Sequence, residues 1–212
     1  MVVKRALSCM FALTLASGML WAQNGPKVAH TTHHGSITPG KAVPATAVIY
    51  TNMGPTLTNL YNDTTGYYVL GSANSLGLGE QWIALPFIPR VNAHVSSLSA
   101  PIGSISGTNA IILGLYSDSA GTVGTLLAQG ETKNIPVFGE CCGLATVAVT
   151  STAVTAGTQY WFVATADDTN APDFTGVFES ANADTIAFDP AQTGWETFSA
   201  NVPAVLVRGT TP

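Results

Sequence analysis

The stretch "NAIILGLYSDSAGTVGTLLAQGE", residues 109–131, decides the fold class. Its first half alternates with a period of two, which places Ile111, Leu113 and Leu115 on one face and Ile112 and Tyr116 on the other. The segment "SDSAGTVG", residues 117–124, predicts a loop, and "TLLAQGE" predicts a returning strand. The stretch therefore indicates a β-hairpin rather than a helix.

The rest of the chain repeats this pattern from about residue 46 onward. Short runs rich in β-branched and aromatic residues alternate with clusters of Gly, Pro, Asn, Asp and Ser, and no segment shows a helical period of useful length. Many short strands without intervening helices favour a single all-β domain over residues 46–212. We expect an antiparallel β-sandwich of jelly-roll-like type, with a fibronectin- or immunoglobulin-like sandwich as the alternative.

One strand has a recognisable entry. In "TAGTQYWFV", residues 155–163, Tyr160 follows a Gly-containing turn, which is the arrangement of a tyrosine corner, where the hydroxyl bonds to upstream backbone. The alternative is an ordinary strand tyrosine. Tyr160 and Phe162 on one face, with Trp161 and Val163 on the other, predict a central strand buried on both sides.

The order of several motifs resembles a known group of proteins. "QWIALPF", "GTNAIILGLYSDSAGTVGTLLAQG", "FGECCGL", "VTAGTQYWFVATA" and the closing "PAVLVRG" look like exported bacterial β-sandwich domains of the PEP-CTERM and choice-of-anchor surface proteins. The resemblance covers roughly residues 65–209 and implies a sandwich fold, but it carries no catalytic residue. This chain departs from the group in its end, "VLVRGTTP", which lacks the apolar helix and basic sorting tail, so the membrane anchor of the group is not carried over.

The first 45 residues read as two non-domain segments. Residues 1–22 combine Lys4 and Arg5 with a short apolar run and predict a signal peptide, hence export to the cell surface, the medium or the periplasm. Residues 23–45 predict a flexible arm or linker. The arm contains His30, His33 and His34, which as clustered imidazoles favour adventitious metal uptake over a built site.

Charge excludes one class of function. Only 9% of the residues are charged, the net charge is −5, and removal of Lys4 and Arg5 makes the mature chain more acidic still. Because phosphate binding depends on clustered Lys and Arg, we expect no nucleic-acid partner. After signal removal we also expect no membrane span.

The mature chain has two cysteines, Cys141 and Cys142, side by side in "FGECCGL". In an oxidising compartment they predict a vicinal disulfide that stiffens a turn, with free thiols or cross-links between chains as alternatives. A redox role is disfavoured because the spacing is not Cys-x-x-Cys.

An acidic loop and a group of aromatics are the candidate binding residues. "ADDTNAPDF" brings Asp167, Asp168 and Asp173 into one loop, a candidate calcium site by ligand type, although such residues also simply form turns. Trp195, Phe174 and Phe178 lie in the loop-rich C-terminal stretch, with Trp82 further up the chain, and exposed rings of this kind can stack on sugars.

Catalysis finds little support, since Gly-x-Ser-x-Gly and His-Glu-x-x-His motifs are absent. We expect a non-catalytic binding or surface module for polysaccharide, with no cofactor beyond the calcium candidate. The first alternative is a fibre or matrix subunit that binds neighbouring copies by strand addition, with "PATAVIYTN", residues 44–52, as the donor. The second is a glycoside hydrolase with carboxylates that the sequence cannot pair.

Overall fold

The computed structural model describes residues 28–30, 46–58, 65–138, 144–190 and 192–212. These residues form strands, turns and loops, and no helix is found among them. The strands in chain order are β1 Val28–His30, β2 Ala47–Thr51, β3 Thr65–Leu70, β4 Gln81–Phe87, β5 Ala93–Ala100, β6 Ile102–Ser106, β7 Ile111–Ser119, β8 Thr122–Thr132, β9 Ala145–Val154, β10 Tyr160–Ala166, β11 Thr175–Pro190, β12 Glu196–Pro203 and β13 Leu206–Thr210.

The strands form two antiparallel sheets that pack against each other. The larger sheet runs β1-β3-β11-β4-β10-β7-β8, with β6 and β12 also paired to the long strand β11, and the smaller sheet runs β2-β13-β5-β9. The inner faces of both sheets share one core, to which Leu98 and Val147 contribute from the smaller sheet and Leu113 and Phe162 from the larger. The predicted all-β antiparallel sandwich is confirmed; its finer type stays a prediction.

Strand β10 is the centre of the larger sheet. It pairs with β4 on one side and β7 on the other, and all seven of its residues are buried. Tyr160, Phe162 and Ala164 face the main core, whereas Trp161 and Val163 belong to a second apolar cluster on the opposite face. The predicted central strand, buried on both sides, is therefore confirmed.

The hairpin of β7 and β8 is tighter than its sequence predicts. Residues 117–124 were expected to form a loop, but all except Ala120 and Gly121 lie in strands. Both turn residues have positive φ, 53° for Ala120 and 87° for Gly121. A two-residue turn with positive φ at both positions matches the right-handed twist of a hairpin, which lets the strands continue up to the turn.

The sandwich is closed along one side. Gly130 of β8 lies so near β9 that a Cβ atom on it would be 2.4 Å from the carbonyl oxygen of Ala148. The edge strand of the larger sheet therefore meets the edge strand β9 of the smaller sheet at backbone distance. The other edge of the smaller sheet is β2.

Two N-terminal segments differ from their predictions. Val28–His30, inside the predicted flexible arm, pairs with β3 as strand β1. The proposed donor segment, residues 44–52, contains β2, which pairs with β13 of its own chain. Apolar residues such as Ile49 explain the pairing, because burying them in the chain's own core is favourable. The segment is thus not a free donor in this structure.

The tyrosine corner is confirmed by its hydrogen bond. The Tyr160 hydroxyl accepts a hydrogen bond of 3.0 Å from the backbone N–H of Thr155, five residues upstream. The bond ties the turn before β10 to the strand itself.

We expect Tyr160→Phe to lower the free energy of unfolding by about 1 kcal/mol, since the Thr155 N–H loses its acceptor. Urea unfolding of the variant measures this. Tyr68→Phe is the matched control, because within the described part of the chain no hydrogen bond to the Tyr68 hydroxyl is found. Equal losses in the two variants would contradict a role for the corner.

Candidate functional site

The outer face of the larger sheet, which points away from the main core, carries the candidate site. Cross-strand pairs on this face are Trp82 with Asp189, Ala84 with Ala187, and Tyr116 with Trp161. Its centre is a buried cluster of Ala84, Val123, Trp161, Val163 and Ala187, against which Tyr116 and Trp195 pack. The solvent-facing side of an antiparallel sheet is usually polar, so an apolar and aromatic outer face marks this side as a candidate binding surface.

Trp195 and Trp82 form an aromatic pair at one end of this outer face. Trp195 lies just before β12 and Trp82 is the second residue of β4. Their ring centroids are 6.3 Å apart and their planes meet at 58°. Both side chains are half-buried, so each keeps part of its ring surface accessible. Trp195, the candidate from the sequence, therefore lies beside a second accessible indole ring, that of Trp82.

Buried carboxylates hold this aromatic pair in place. Glu80, 7% exposed, accepts hydrogen bonds from the indole Nε1 of Trp82 at 2.5 Å and from Nε2 of Gln192 at 3.1 and 3.3 Å. Asp189, 5% exposed, accepts the backbone N–H of Gly194 at 3.0 Å. Glu80 therefore fixes the Trp82 side chain, and Asp189 fixes the backbone next to Trp195. Because the Trp82 N–H is already used, Trp82 offers a ligand the surface of its ring.

A third carboxylate anchors the buried tryptophan of β10. Oδ1 of Asp118 accepts from Nε1 of Trp161 at 2.8 Å and from Nε2 of Gln159 at 2.7 Å, and Oδ2 accepts the N–H of Gly121 at 3.0 Å. The bond from Gly121, helped by those from Trp161 and Gln159, lowers the pKa of Asp118 against the opposing effect of burial. Asp118 is therefore a turn residue that also satisfies an indole N–H.

The three loop aspartates brace separate loops. Asp167 accepts from the N–H groups of Thr169 and Asn170 and, at 2.6 Å, from the Asn170 side chain. Asp168 accepts the N–H of Ser72 at 2.8 Å, and Asp173 accepts that of Thr108 at 3.0 Å. In the described ranges no group of three or more His, Cys, Asp or Glu is placed to hold a metal ion. Calcium binding stays a prediction that this arrangement does not support.

Phe174 is the ligand-binding candidate that the structure corrects. It is fully buried in the main core, so it cannot contact a ligand at the surface. Its ring lies over Gly176, where a Cβ would come within 2.5 Å of it, and this glycine leaves the room that the ring occupies. The backbone of Phe178 pairs with Tyr67 and Ile102 inside β11, and its side chain is outside the described set. Cys141 and Cys142 also lie outside the described residues.

Sequence reasoning missed the anchoring residues Glu80, Asp189 and Gln192. Part of the signal was available, since Glu80 and Trp82 are two residues apart at the start of a strand and such residues share a face. The partnership with Gln192, 112 residues away, depends on the pairing of β4 with β11.

Comparison with known proteins finds no protein-family model and no curated protein that matches this chain. The resemblance to exported surface-protein sandwiches stays a prediction. None of the residues in the described ranges forms a helix with the length and apolar character needed to cross a membrane.

Acid should weaken the Asp118 anchor. The pKa of Asp118 in the folded chain lies below its ordinary value of 3.8. The anchor therefore contributes its full stability above that value, and the contribution is lost as the pH falls below it. We expect Asp118→Asn to be clearly less stable than the native protein at about pH 6, and the difference to narrow at about pH 3.

Urea unfolding at the two pH values, followed by Trp fluorescence, measures the difference. A difference in the free energy of unfolding that is the same at both pH values would contradict a stabilising role for the Asp118 carboxylate.

Proposed function

We propose that this chain is an exported, non-catalytic sandwich module that binds polysaccharide on the outer face of its larger sheet, through Trp195 and Trp82. The observation that carries the proposal is the pair of half-buried indole rings, 6.3 Å apart, at the accessible end of that face. Export rests on residues 1–22, and the place of action is the cell surface or medium, with the periplasm as the alternative.

The chemistry of the pair suits a sugar ring. A pyranose presents a face of C–H groups that packs on an aromatic ring, and Trp offers the largest such surface. Since the planes meet at 58°, the pair forms an angled notch in which one ring stacks on the sugar and the other contacts its edge.

Preorganisation strengthens the case. Glu80 holds the Trp82 indole, Asp189 holds the backbone beside Trp195, and the Trp195 side chain packs on the outer-face cluster, so binding has little side-chain freedom to remove. The rest of the outer-face cluster adds a rigid floor, because Trp161, Val163 and Ala187 are buried in it. Rigid supports of this kind are what positioned binding residues require.

The hydrogen bonds of the carboxylates Glu80 and Asp189 favour a binding site over a hydrolytic site. Both oxygens of Glu80 accept hydrogen bonds from its own chain, and Asp189 is engaged with Gly194. A glycoside hydrolase needs one carboxylic acid and one carboxylate that reach the scissile bond. We therefore assign these two residues to positioning the rings.

We expect Trp195→Ala to weaken polysaccharide binding about tenfold or more, which corresponds to about 1.4 kcal/mol of binding free energy. A glycan array selects the ligand, and calorimetry measures the affinity. Phe198→Ala is the control, because Phe198 is an aromatic of the same hairpin that packs against the main core. The affinity of the Phe198→Ala variant for the glycan should equal that of the native protein.

Two outcomes would contradict the proposal. One is the absence of saturable binding to any glycan by the native mature protein, which would favour the fibre or matrix alternative if concentration-dependent oligomers form. The other is the release of reducing ends from the bound glycan that stops in Glu80→Gln, which would make the module a hydrolase.

A further inference from the structure

A pocket of about 750 Å³ lies beside the edge strand β2, away from the aromatic pair. Strand β2 forms one wall and the end of β4 forms another, and residues from β11 and from the turn before β10 complete it. The lining residues that bear on its chemistry are Val48, Tyr50, Phe87, Ile88, Arg90 and Gln159. Its volume is within the range of pockets that take small ligands or single groups of larger ones.

The walls of the pocket combine apolar and aromatic side chains with the polar side chains of Thr51, Gln159 and Thr185. The ring centroids of Tyr50 and Phe87 are 5.2 Å apart, and those of Phe87 and Tyr160 are 6.0 Å apart. Val48 and Ile88 at the pocket are 41% and 50% exposed, so their aliphatic surface is accessible to a ligand. The walls therefore suit a ligand with a ring-shaped, partly apolar body.

The charge of the pocket is opposite to that of the protein. Its described lining includes Arg90 and no Asp or Glu, in a chain with a net charge of −5. The other two cations of the described ranges are engaged: Lys133 pairs with Glu131 at 3.1 Å, and Arg208 donates to the Thr46 carbonyl. Within those ranges no carboxylate lies within ion-pair distance of Arg90.

Asp118 is the carboxylate that bears on the pocket, because it accepts a hydrogen bond from the lining residue Gln159. Its two oxygens already receive N–H groups from Gln159, Trp161 and Gly121. The guanidinium of Arg90 is thus the charged group that a ligand would meet, and its fork of donors matches a carboxylate.

The pocket and the aromatic pair lie along the same two strands. Pro86 and Thr185 line the pocket, and Trp82 and Asp189 are each four residues away on β4 and β11. Four residues of a strand span about 13 Å. An extended ligand that contacts the aromatic pair can therefore follow these strands toward the pocket.

We propose that this pocket binds the carboxylate of an acidic sugar, so that the polysaccharide recognised by the protein contains uronic acid. The inference rests on the proposed function, because it assigns the class of glycan that the module takes. Arg90 recognises the carboxylate, while the half-buried Tyr50 and the exposed Ile88 contact the sugar ring. Phe87, which is 2% exposed, supports the Tyr50 ring from the core.

Calorimetry with three oligosaccharides of equal length tests the proposal: a neutral one, its uronate counterpart and its O-sulfated counterpart. We expect the uronate to bind on the order of tenfold more tightly than the neutral sugar at low salt, and the advantage to shrink as salt is added. Arg90→Gln should abolish the advantage of the uronate over the neutral sugar. Arg90→Lys should keep part of it, since lysine retains the charge without the fork.

Lys133→Gln is the matched control, because it removes a cation outside the pocket and should leave the preference intact. Equal affinity of the native protein for uronate and neutral sugars overturns the inference, and so does an equal loss of preference in Lys133→Gln and Arg90→Gln. Equal affinity for sulfate and uronate overturns the assignment to carboxylate. Failure to bind any of the three would instead overturn the proposed function itself.

Discussion

The structure depends on one strand that has no solvent-facing side. Because β10 lies between β4 and β7 and all its residues are buried, both faces of the larger sheet have to be covered. The smaller sheet covers the inner face. The outer face has no second sheet in the described ranges, and its cover is made from side chains: Tyr116, Val123 and Trp195 pack around Trp161 and Val163. The aromatic character of the outer face thus follows from burying the centre of the sheet.

Tryptophan in such a cover creates a second requirement, which carboxylates meet. A buried indole N–H needs an acceptor, and a buried carboxylate needs donors. One pair meets each need: the buried Trp161 donates to the half-exposed Asp118, and the buried Glu80 accepts from the half-buried Trp82. In a protein with only 9% charged residues, several acidic groups are used in this way to fix aromatic side chains and turns. The rigid aromatic pair, on which the proposed glycan site depends, is a consequence.

Local patterns made much of the fold predictable. Alternation in residues 109–116 and 160–164 gave the correct faces of β7 and β10, because a strand side chain's face depends only on its position in the strand. The tyrosine corner spans the six residues 155–160, so its sequence contains nearly all the geometry that it needs. The hairpin turn was placed too broadly because Ala120 is an unusual residue at positive φ.

The candidate site was less predictable because it depends on contacts between distant segments. Phe174 and Trp195 look alike in the sequence as aromatics of a loop-rich stretch, yet one is in the core and the other lies on the outer face. Their different positions have two causes: the Phe174 ring occupies the space above Gly176, and the register of β11 against β4 brings Trp195 to Trp82. Neither can be read from a single chain without its strand pairing. The same holds for Glu80 and Gln192.

The central claim is that a glycan binds at Trp195 and Trp82 while Trp161 remains a structural residue. Without the predicted signal peptide the chain has three tryptophans, so an ¹⁵N correlation spectrum should show three indole N–H signals. Titration with the glycan that binds most tightly on an array should shift the signals of Trp195 and Trp82 in a saturable way and leave that of Trp161 in place. A titration in which only Trp161 shifts, or in which no indole signal moves at saturating glycan, would contradict the claim.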